Sequence, residues 1–316
     1  MGIFIWAGVF VVALIALVKG ADWVLDSAKK IGLALGMAPF VVGVLIVGFG
    51  TSAPELVSSL FGFFSGATEI PAANAVGSNI ANILLVIGLA AVLSKSHLTI
   101  TRNLIDIELP ILALATALFF GVAHDGIITT PESLILIAAF VLYVLYALFN
   151  KDSAEAAPAE AEDTAKPAVR VQDIALLVLG FALLVGGAKY LIDAVLALSA
   201  LLNIAVGVIT ILAVAVGTSL PELLVSVKAA LQGDAEVSIG NIFGSNAFNI
   251  LFVVGIPGLF GVMQLDTPTV AIGIPAMLAA TFFLIISGIS QRIHIWEGMF
   301  YLLVYVFFVL KLFGAV

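Results

Sequence analysis

The sequence predicts an all-α membrane protein in which ten transmembrane helices form two inverted repeats of five. Three observations predict this fold class: an apolar composition, a series of apolar segments of membrane-spanning length, and an internal repeat. The chain has 316 residues, of which 63% are hydrophobic and 10% are charged. Soluble proteins carry about 25% charged residues. Because so few charges cannot cover a globule with polar surface, lipid is the expected solvent of this chain.

The apolar segments recur along the whole chain, and each is long enough to cross a bilayer as a helix of about 20 residues. They are continuously apolar and do not alternate with polar residues, which favours helices over a transmembrane β-barrel. The ten predicted segments are 3–27, 37–64, 70–94, 104–122, 129–149, 172–198, 204–230, 237–262, 268–289 and 295–314.

The internal repeat is marked by polar residues inside apolar segments. The motif at 50–56, GTSAPEL, returns at 217–223 as GTSLPEL, an offset of 167 residues. At the same offset NAVGSNIANIL, at 74–84, returns as NIFGSNAFNIL, and 18 of the 39 positions from 50 to 88 are identical. Chance similarity between membrane helices matches Leu and Val rather than Pro, Glu and Asn, so this is a true duplication.

The repeat divides the chain into two halves, 1–150 and 172–316, joined by the linker 151–171. Each half holds five predicted helices, and because five is odd the second half enters the membrane upside down. Inverted repeats are typical of secondary transporters, whose substrate sites lie near the midplane where the halves meet. The linker is rich in Ala, Glu and Pro, which predicts a flexible tether. The first segment has a counterpart in the sixth and no basic residues ahead of it, so we expect a retained helix rather than a signal peptide.

The two prolines of the repeated motif predict a break in the second and seventh predicted helices. Pro54 has no N–H to donate to the Gly50 carbonyl, and Pro221 has none for Gly217. Each break frees backbone carbonyls in mid-membrane, where an unsatisfied polar group costs several kcal/mol. A dehydrated cation would satisfy them.

The side chains around these breaks offer oxygen ligands only. In each broken helix Thr and Ser stand three or four residues before Glu55 or Glu222, and Ser78 and Asn82 share a helix face, as do Ser245 and Asn249. Hard cations such as Na⁺ and Ca²⁺ take such ligands, whereas soft metals prefer sulfur and imidazole. Two carboxylates balance one Ca²⁺ or a pair of monovalent ions. Intramembrane carboxylates in both opposed repeats therefore predict a cation site.

With both motifs, GTSAPE…NAVGSNIAN and GTSLPE…NIFGSNAFN, the chain resembles the cation/calcium exchanger superfamily in its sodium/calcium exchanger branch, prokaryotic type. The resemblance covers nearly the whole chain and implies that Ca²⁺ is exchanged for Na⁺ by alternating access, with the ions as substrates and no cofactor. It also implies backbone carbonyl ligands at Gly48 and Ala215. The side-chain ligands that it implies are Thr51, Ser52, Glu55, Ser78, Asn82, Thr218, Ser219, Glu222, Ser245 and Asn249.

Other functions remain open or are disfavoured. A Ca²⁺/H⁺ or other cation/H⁺ antiporter is the main alternative, since Glu55 and Glu222 could carry protons. Asn249 stands where potassium-dependent members of the superfamily have Asp, which argues against K⁺ co-transport. An enzyme is not expected, because the chain has no cysteine, no HExxH motif and no Gly-rich phosphate loop. Paired carboxylates in broken helices favour occluded binding over a channel. Neither a nucleic acid nor an obligatory protein partner is expected.

The basic loop residues predict the orientation in the membrane. Eight of them fall on one side of the ten-helix arrangement and only Lys311 on the other, so the positive-inside rule places the linker in the cytoplasm and both termini outside. The expected location is the plasma membrane, or the inner membrane of a prokaryote. The eight are Lys29, Lys30, Lys95, Arg102, Lys151, Lys166, Arg170 and Arg292. Acidic residues near helix ends are expected to be interfacial: Asp106, Glu108, Glu132 and Glu297.

Overall fold

The computed structural model describes residues 2–35, 50–94, 97–100, 108–149 and 169–315. Within these ranges the chain is helical apart from short loops and four two-residue strands. Several predicted features lie outside the described residues: the first half of the second segment with Gly48, the basic residues Lys95 and Arg102, Asp106, and most of the linker.

Eleven helices are assigned in the described ranges, some of which contain a π-helical turn. In the first half these are α1 (Gly2–Ala34), α2 (Ala53–Phe64), α3 (Ile70–Leu93, with a π turn at Ala81–Ile87), α4 (Leu109–Ala123) and α5 (Thr130–Phe149). In the second half these are α6 (Val171–Leu202), α7 (Val206–Thr218, π turn Thr210–Val214), α8 (Leu220–Gln232), α9 (Ala235–Phe248, continued by the π turn Asn249–Val253 and by Val254–Gly258), α10 (Thr269–Ile289, π turn Thr269–Gly273) and α11 (Ile295–Leu312).

The described helices are those of a membrane protein. Six of them are long and apolar enough to cross a bilayer, or seven if the bent pair α7 and α8 forms one span. The helices α1 and α6, at 33 and 32 residues, are longer than the predicted segments 3–27 and 172–198. The helices extend past the apolar stretches because backbone hydrogen bonding continues through polar residues such as Lys29 and Lys30.

The pair α1 and α6 packs through small residues. A Cβ added at Gly187 would lie 2.6 Å from the backbone nitrogen of Leu17, and one at Gly180 would lie 2.9 Å from the carbonyl oxygen of Gly20. Close backbone approach through glycine is a common way for membrane helices to associate. Gly20 and Gly187 are also separated by 167 residues, the offset of the sequence repeat, and both lie on this contact surface. Near one end of the helix pair α1 and α6, Lys30 Nζ lies 3.1 Å from Asp173 Oδ1.

Two strand pairs, which the sequence analysis did not predict, connect loops of the two halves. Strand β1 (Leu98–Thr99) pairs antiparallel with β4 (Arg292–Ile293), and β2 (Ile127–Ile128) pairs antiparallel with β3 (Met263–Gln264). Each strand places one buried apolar residue against the helices. The loop before α4 therefore lies beside the loop before α11, and the loop before α5 lies beside the loop before α10.

The centre of the protein is formed by α3 and α9, the helices that carry the GSN sequences. Every residue of α3 from Ile70 to Asn82 is buried. A Cβ added at Gly77 would lie 2.6 Å from the carbonyl oxygen of Ile211 and 2.7 Å from the Cβ of Ala215. Only glycine permits α7 to pass this close to α3, and that contact brings the end of α7 to the centre of the protein.

Candidate functional site

Both GTSxPE motifs stand at a helix start that follows a turn. Helix α7 ends at Thr218, α8 begins at Leu220, and the two helices are bent by 48°. The first motif is similar: residues 51–52 form a turn, and α2 begins at Ala53 with Pro54 in its first turn. The predicted break is confirmed for the second motif. For the first motif the turn is present, and residues 36–49 before it lie outside the described ranges.

The two glutamates accept hydrogen bonds from the opposite repeat. Ser52 Oγ donates to Glu222 Oε1 at 3.2 Å, and Ser219 Oγ donates to Glu55 Oε1 at 3.3 Å. All four residues are buried. Each glutamate lies in the first turn of its helix, where the N-terminal end of the helix dipole stabilises negative charge. The crossed bonds therefore join the two GTSxPE motifs in the interior of the protein.

Three more of the predicted hydroxyl ligands contact Glu222 or the Ala215 carbonyl. Ser245 Oγ donates to Glu222 Oε1 at 3.3 Å. Thr218 Oγ1 and Ser78 Oγ lie 3.3 Å and 3.4 Å from the carbonyl oxygen of Ala215. Gly48, the counterpart of Ala215, lies outside the described residues.

Five buried side-chain oxygens of the predicted ligand set have no hydrogen-bond partner among the described residues. Burying a polar atom without a partner costs about 1–3 kcal/mol, and more for a charged group. Six other buried polar atoms without partners lie on residues outside the predicted set. The five oxygens are Thr51 Oγ1, Glu55 Oε2, Asn82 Oδ1, Glu222 Oε2 and Asn249 Oδ1. Unpartnered carboxylate, amide and hydroxyl oxygens are the donor set of a hard-cation site.

Four asparagines connect α3 to α9 beside these oxygens. Asn82 Nδ2 donates to Asn246 Oδ1 at 3.0 Å, and Asn249 Nδ2 donates to Asn79 Oδ1 at 3.2 Å. Asn79 Nδ2 also donates to the backbone carbonyl of Asn246 at 3.0 Å. Asn79 and Asn246 were not among the predicted ligands, although their recurrence in both GSN sequences was a signal for a role.

The family was established by comparison with known proteins. The sequence profile described as sodium/calcium exchanger protein matches residues 5–149 and 173–314. The chain belongs to the sodium/calcium exchanger family. It is therefore an integral membrane antiporter and not an enzyme, and the ions that the family transports are substrates rather than cofactors.

Individual relatives match this antiporter over most of its length. It is 32% identical to the sodium/calcium exchanger MaX1 of Methanosarcina acetivorans over 343 residues, covering 96% of this chain and 97% of that one. It is 30% identical to the inner membrane protein YrbG of Escherichia coli, covering 81% and 80%. A solved structure of the sodium-calcium exchanger NCX_Mj is 28% identical, with a TM-score of 0.65 and coverage of 96% and 97%.

Another asparagine of the antiporter holds the glutamate-bearing helix against its neighbour. Asn74 Nδ2 lies 3.1 Å from the backbone oxygen of Glu55 and within hydrogen-bond distance of Ser58 and Ser59. In the other half, Asn241 Nδ2 donates to Ser226 Oγ at 3.3 Å. Asn74 and its counterpart Asn241 therefore form hydrogen bonds to α2 and α8, the helices that carry Glu55 and Glu222.

Three acidic residues accept hydrogen bonds from backbone nitrogens at helix starts, whereas Glu108 accepts one from the hydroxyl of Tyr143 at 3.3 Å. Glu132 accepts from the backbone nitrogen of Thr129 at 2.8 Å, and Glu297 accepts from that of His294 at 2.7 Å. Asp266 accepts from the backbone nitrogen of Gly207 at 3.1 Å. Glu132 and Glu297 therefore stabilise helix starts, and their location at the membrane interface stays a prediction.

Glu69 lies in the loop before α3. Burial raises the pKa of the Glu69 carboxyl, and the nearby Asp266 carboxylate adds to that rise. Both residues are partly buried and lie in loops rather than among the predicted ligands, so neither is expected to bind the ion.

Proposed function

We propose that the protein exchanges Ca²⁺ for Na⁺ across the membrane by alternating access at a central oxygen-lined site. The observation that carries this proposal is the reciprocal pair of bonds between Ser52 and Glu222 and between Ser219 and Glu55. Each bond joins a buried glutamate to the serine three residues before the other glutamate, which supports a site shared by both carboxylates, and each carboxylate has one unpartnered oxygen. Two negative charges placed side by side repel each other, and a bound cation offsets both that repulsion and the burial of charge.

The proposed ligands are the side chains of Thr51, Ser52, Glu55, Ser78, Asn82, Thr218, Ser219, Glu222, Ser245 and Asn249, with the backbone carbonyls of Gly48 and Ala215. Support comes from the five unpartnered oxygens and from the hydroxyls that lie against the carboxylates. Ca²⁺ coordinates six to eight oxygens and takes carboxylates readily. Because Na⁺ and Ca²⁺ would share these ligands, either ion displaces the other, which is the requirement for exchange.

The ten-helix organisation belongs to the same proposal, with repeats at 1–150 and 172–316 and the linker at 151–171. Its support is the reciprocity of the central contacts. Adding 167 to the lower residue number of the Ser52–Glu222 bond and subtracting 167 from the higher one gives the Ser219–Glu55 bond. The same operation converts the Asn82–Asn246 bond into the Asn249–Asn79 bond. A pseudo-two-fold axis between two inverted halves accounts for such pairs.

The identity of the counter-ion is tested with imposed gradients. Purified protein in liposomes is expected to accumulate Ca²⁺ when Na⁺ is loaded inside and the pH is equal on both sides. Without Na⁺, a pH gradient of either direction is expected to drive no more Ca²⁺ uptake than is measured in liposomes without protein. Strong uptake driven by the pH gradient alone would instead support the Ca²⁺/H⁺ antiporter.

The orientation is tested with an introduced thiol, since the chain contains no cysteine. The linker is proposed to be cytoplasmic and both termini extracytoplasmic, so Ala157→Cys should resist a membrane-impermeant maleimide in intact cells and react after lysis. Ala315→Cys, near the C-terminus, is the matched control and should react in intact cells. The reverse labelling pattern would contradict this orientation.

A further inference from the structure

We propose that Asn79 and Asn246 are positioning residues that turn the amide oxygens of Asn249 and Asn82 toward the transported cation. This inference rests on the proposed function. An asparagine amide has nearly the same shape in both flipped orientations, but one orientation presents a carbonyl oxygen and the other presents two N–H donors. A cation is attracted to the first and repelled by the second, so a neutral ligand of this kind needs a partner that selects the orientation.

The orientation of Asn249 follows from a chain of bonds that begins at the backbone. The carbonyl of Asn246 only accepts, so the Asn79 amide group that lies 3.0 Å away must be its nitrogen. The oxygen of Asn79 therefore faces Asn249 and accepts from Nδ2 at 3.2 Å. With its nitrogen engaged, Asn249 is left with Oδ1 unpartnered and buried, which is the atom that a cation needs.

The opposite repeat has part of this arrangement: Asn82 also donates through its nitrogen, but Asn246 makes no backbone bond like that of Asn79, since its own Nδ2 is buried without a partner among the described residues. Asn82 Nδ2 donates to Asn246 Oδ1 at 3.0 Å, and Asn82 Oδ1 has no partner in the described part of the chain. Asn79 and Asn246 each use their side-chain oxygen to hold a neighbouring amide. They therefore act on the cation through Asn249 and Asn82 rather than as ligands.

The test removes the orienting oxygen, Asn79 Oδ1. Ca²⁺ uptake into liposomes, driven by a Na⁺ gradient, is then measured at a series of Ca²⁺ concentrations. Asn79→Leu keeps a similar volume but accepts no hydrogen bond, so the KM for Ca²⁺ is expected to rise about ten-fold, with a much smaller change in the maximal rate. The same substitution is then made in an Asn249→Asp background. A carboxylate has two equivalent oxygens and needs no orientation, so there the KM should change less than about two-fold when Asn79 is replaced.

An equal rise in KM in both backgrounds would show that Asn79 only spaces the helices, and an unchanged KM in the native background would also overturn the proposal. Either result leaves the exchange activity of the unmodified protein intact, so it is distinct from a failure of the proposed function. If Asn79→Leu does not yield folded protein, the pair Asn246→Leu with and without Asn82→Asp makes the same comparison. Thermal stabilisation of the detergent-solubilised variants by Ca²⁺ provides a second measure of affinity that does not depend on turnover.

Discussion

Glu55→Gln and Glu222→Gln are each expected to abolish Na⁺-gradient-driven Ca²⁺ uptake in liposomes, with a loss of about 100-fold or more. The amide keeps the shape of the side chain and still accepts the hydrogen bond from Ser219 or Ser52. It removes one of two buried negative charges, and losing one partner of a buried ionic interaction costs about 3–5 kcal/mol, where about 1.4 kcal/mol is ten-fold. The protein should remain folded, as judged by an unchanged elution profile in detergent.

Two further variants calibrate this result. Glu132→Gln removes a carboxylate charge from another helix start, where the amide oxygen can still cap α5, and uptake should stay near the level of the unmodified protein. Asn249→Ala removes a neutral ligand and should weaken uptake by about ten-fold, less than either glutamate variant. Near-normal uptake by Glu55→Gln or Glu222→Gln would show that the central-site mechanism is wrong.

Gly77→Val is expected to destabilise the native structure strongly. The first added carbon would lie 2.6 Å from the carbonyl oxygen of Ile211, and the two methyl groups would extend further into α7. Protein interiors are close-packed, and overpacking against a fixed backbone costs about 3 kcal/mol or more. The yield of monodisperse protein and its thermal midpoint should both fall sharply, and Ca²⁺ uptake should be lost with them.

The matched control is Gly121→Val on α4, where an added carbon would meet no atom within 4 Å. It introduces the same β-branched residue into a helix but causes no clash, so yield and uptake should remain close to those of the unmodified protein. If Gly77→Val were as stable as Gly121→Val, the close approach of α3 and α7 would not be needed for the fold.

Features that depend on local chemistry were predictable from the sequence. The break at Ser219 follows from the missing N–H of Pro221, and the membrane setting follows from apolar segments of sufficient length. The identity of the chemically important residues was also visible, because a polar residue inside an apolar helix stands out and a second copy 167 positions later excludes chance. The role of Glu55 and Glu222 as ligands stays a prediction until the variants are measured.

The tertiary structure alone decided which atoms meet. The bond from Ser52 to Glu222 and the bond from Asn249 to Asn79 each join residues 170 positions apart, and no local pattern specifies such a pairing. The π turn that begins at Asn249 was also hidden, because its sequence, NILFV, contains no glycine or proline that would mark an irregular turn. Helix periodicity and proline chemistry act over a few residues and can be read along the chain. Amide orientation and crossed hydrogen bonds depend on the packing of two halves against each other, and they exist only once that packing has formed.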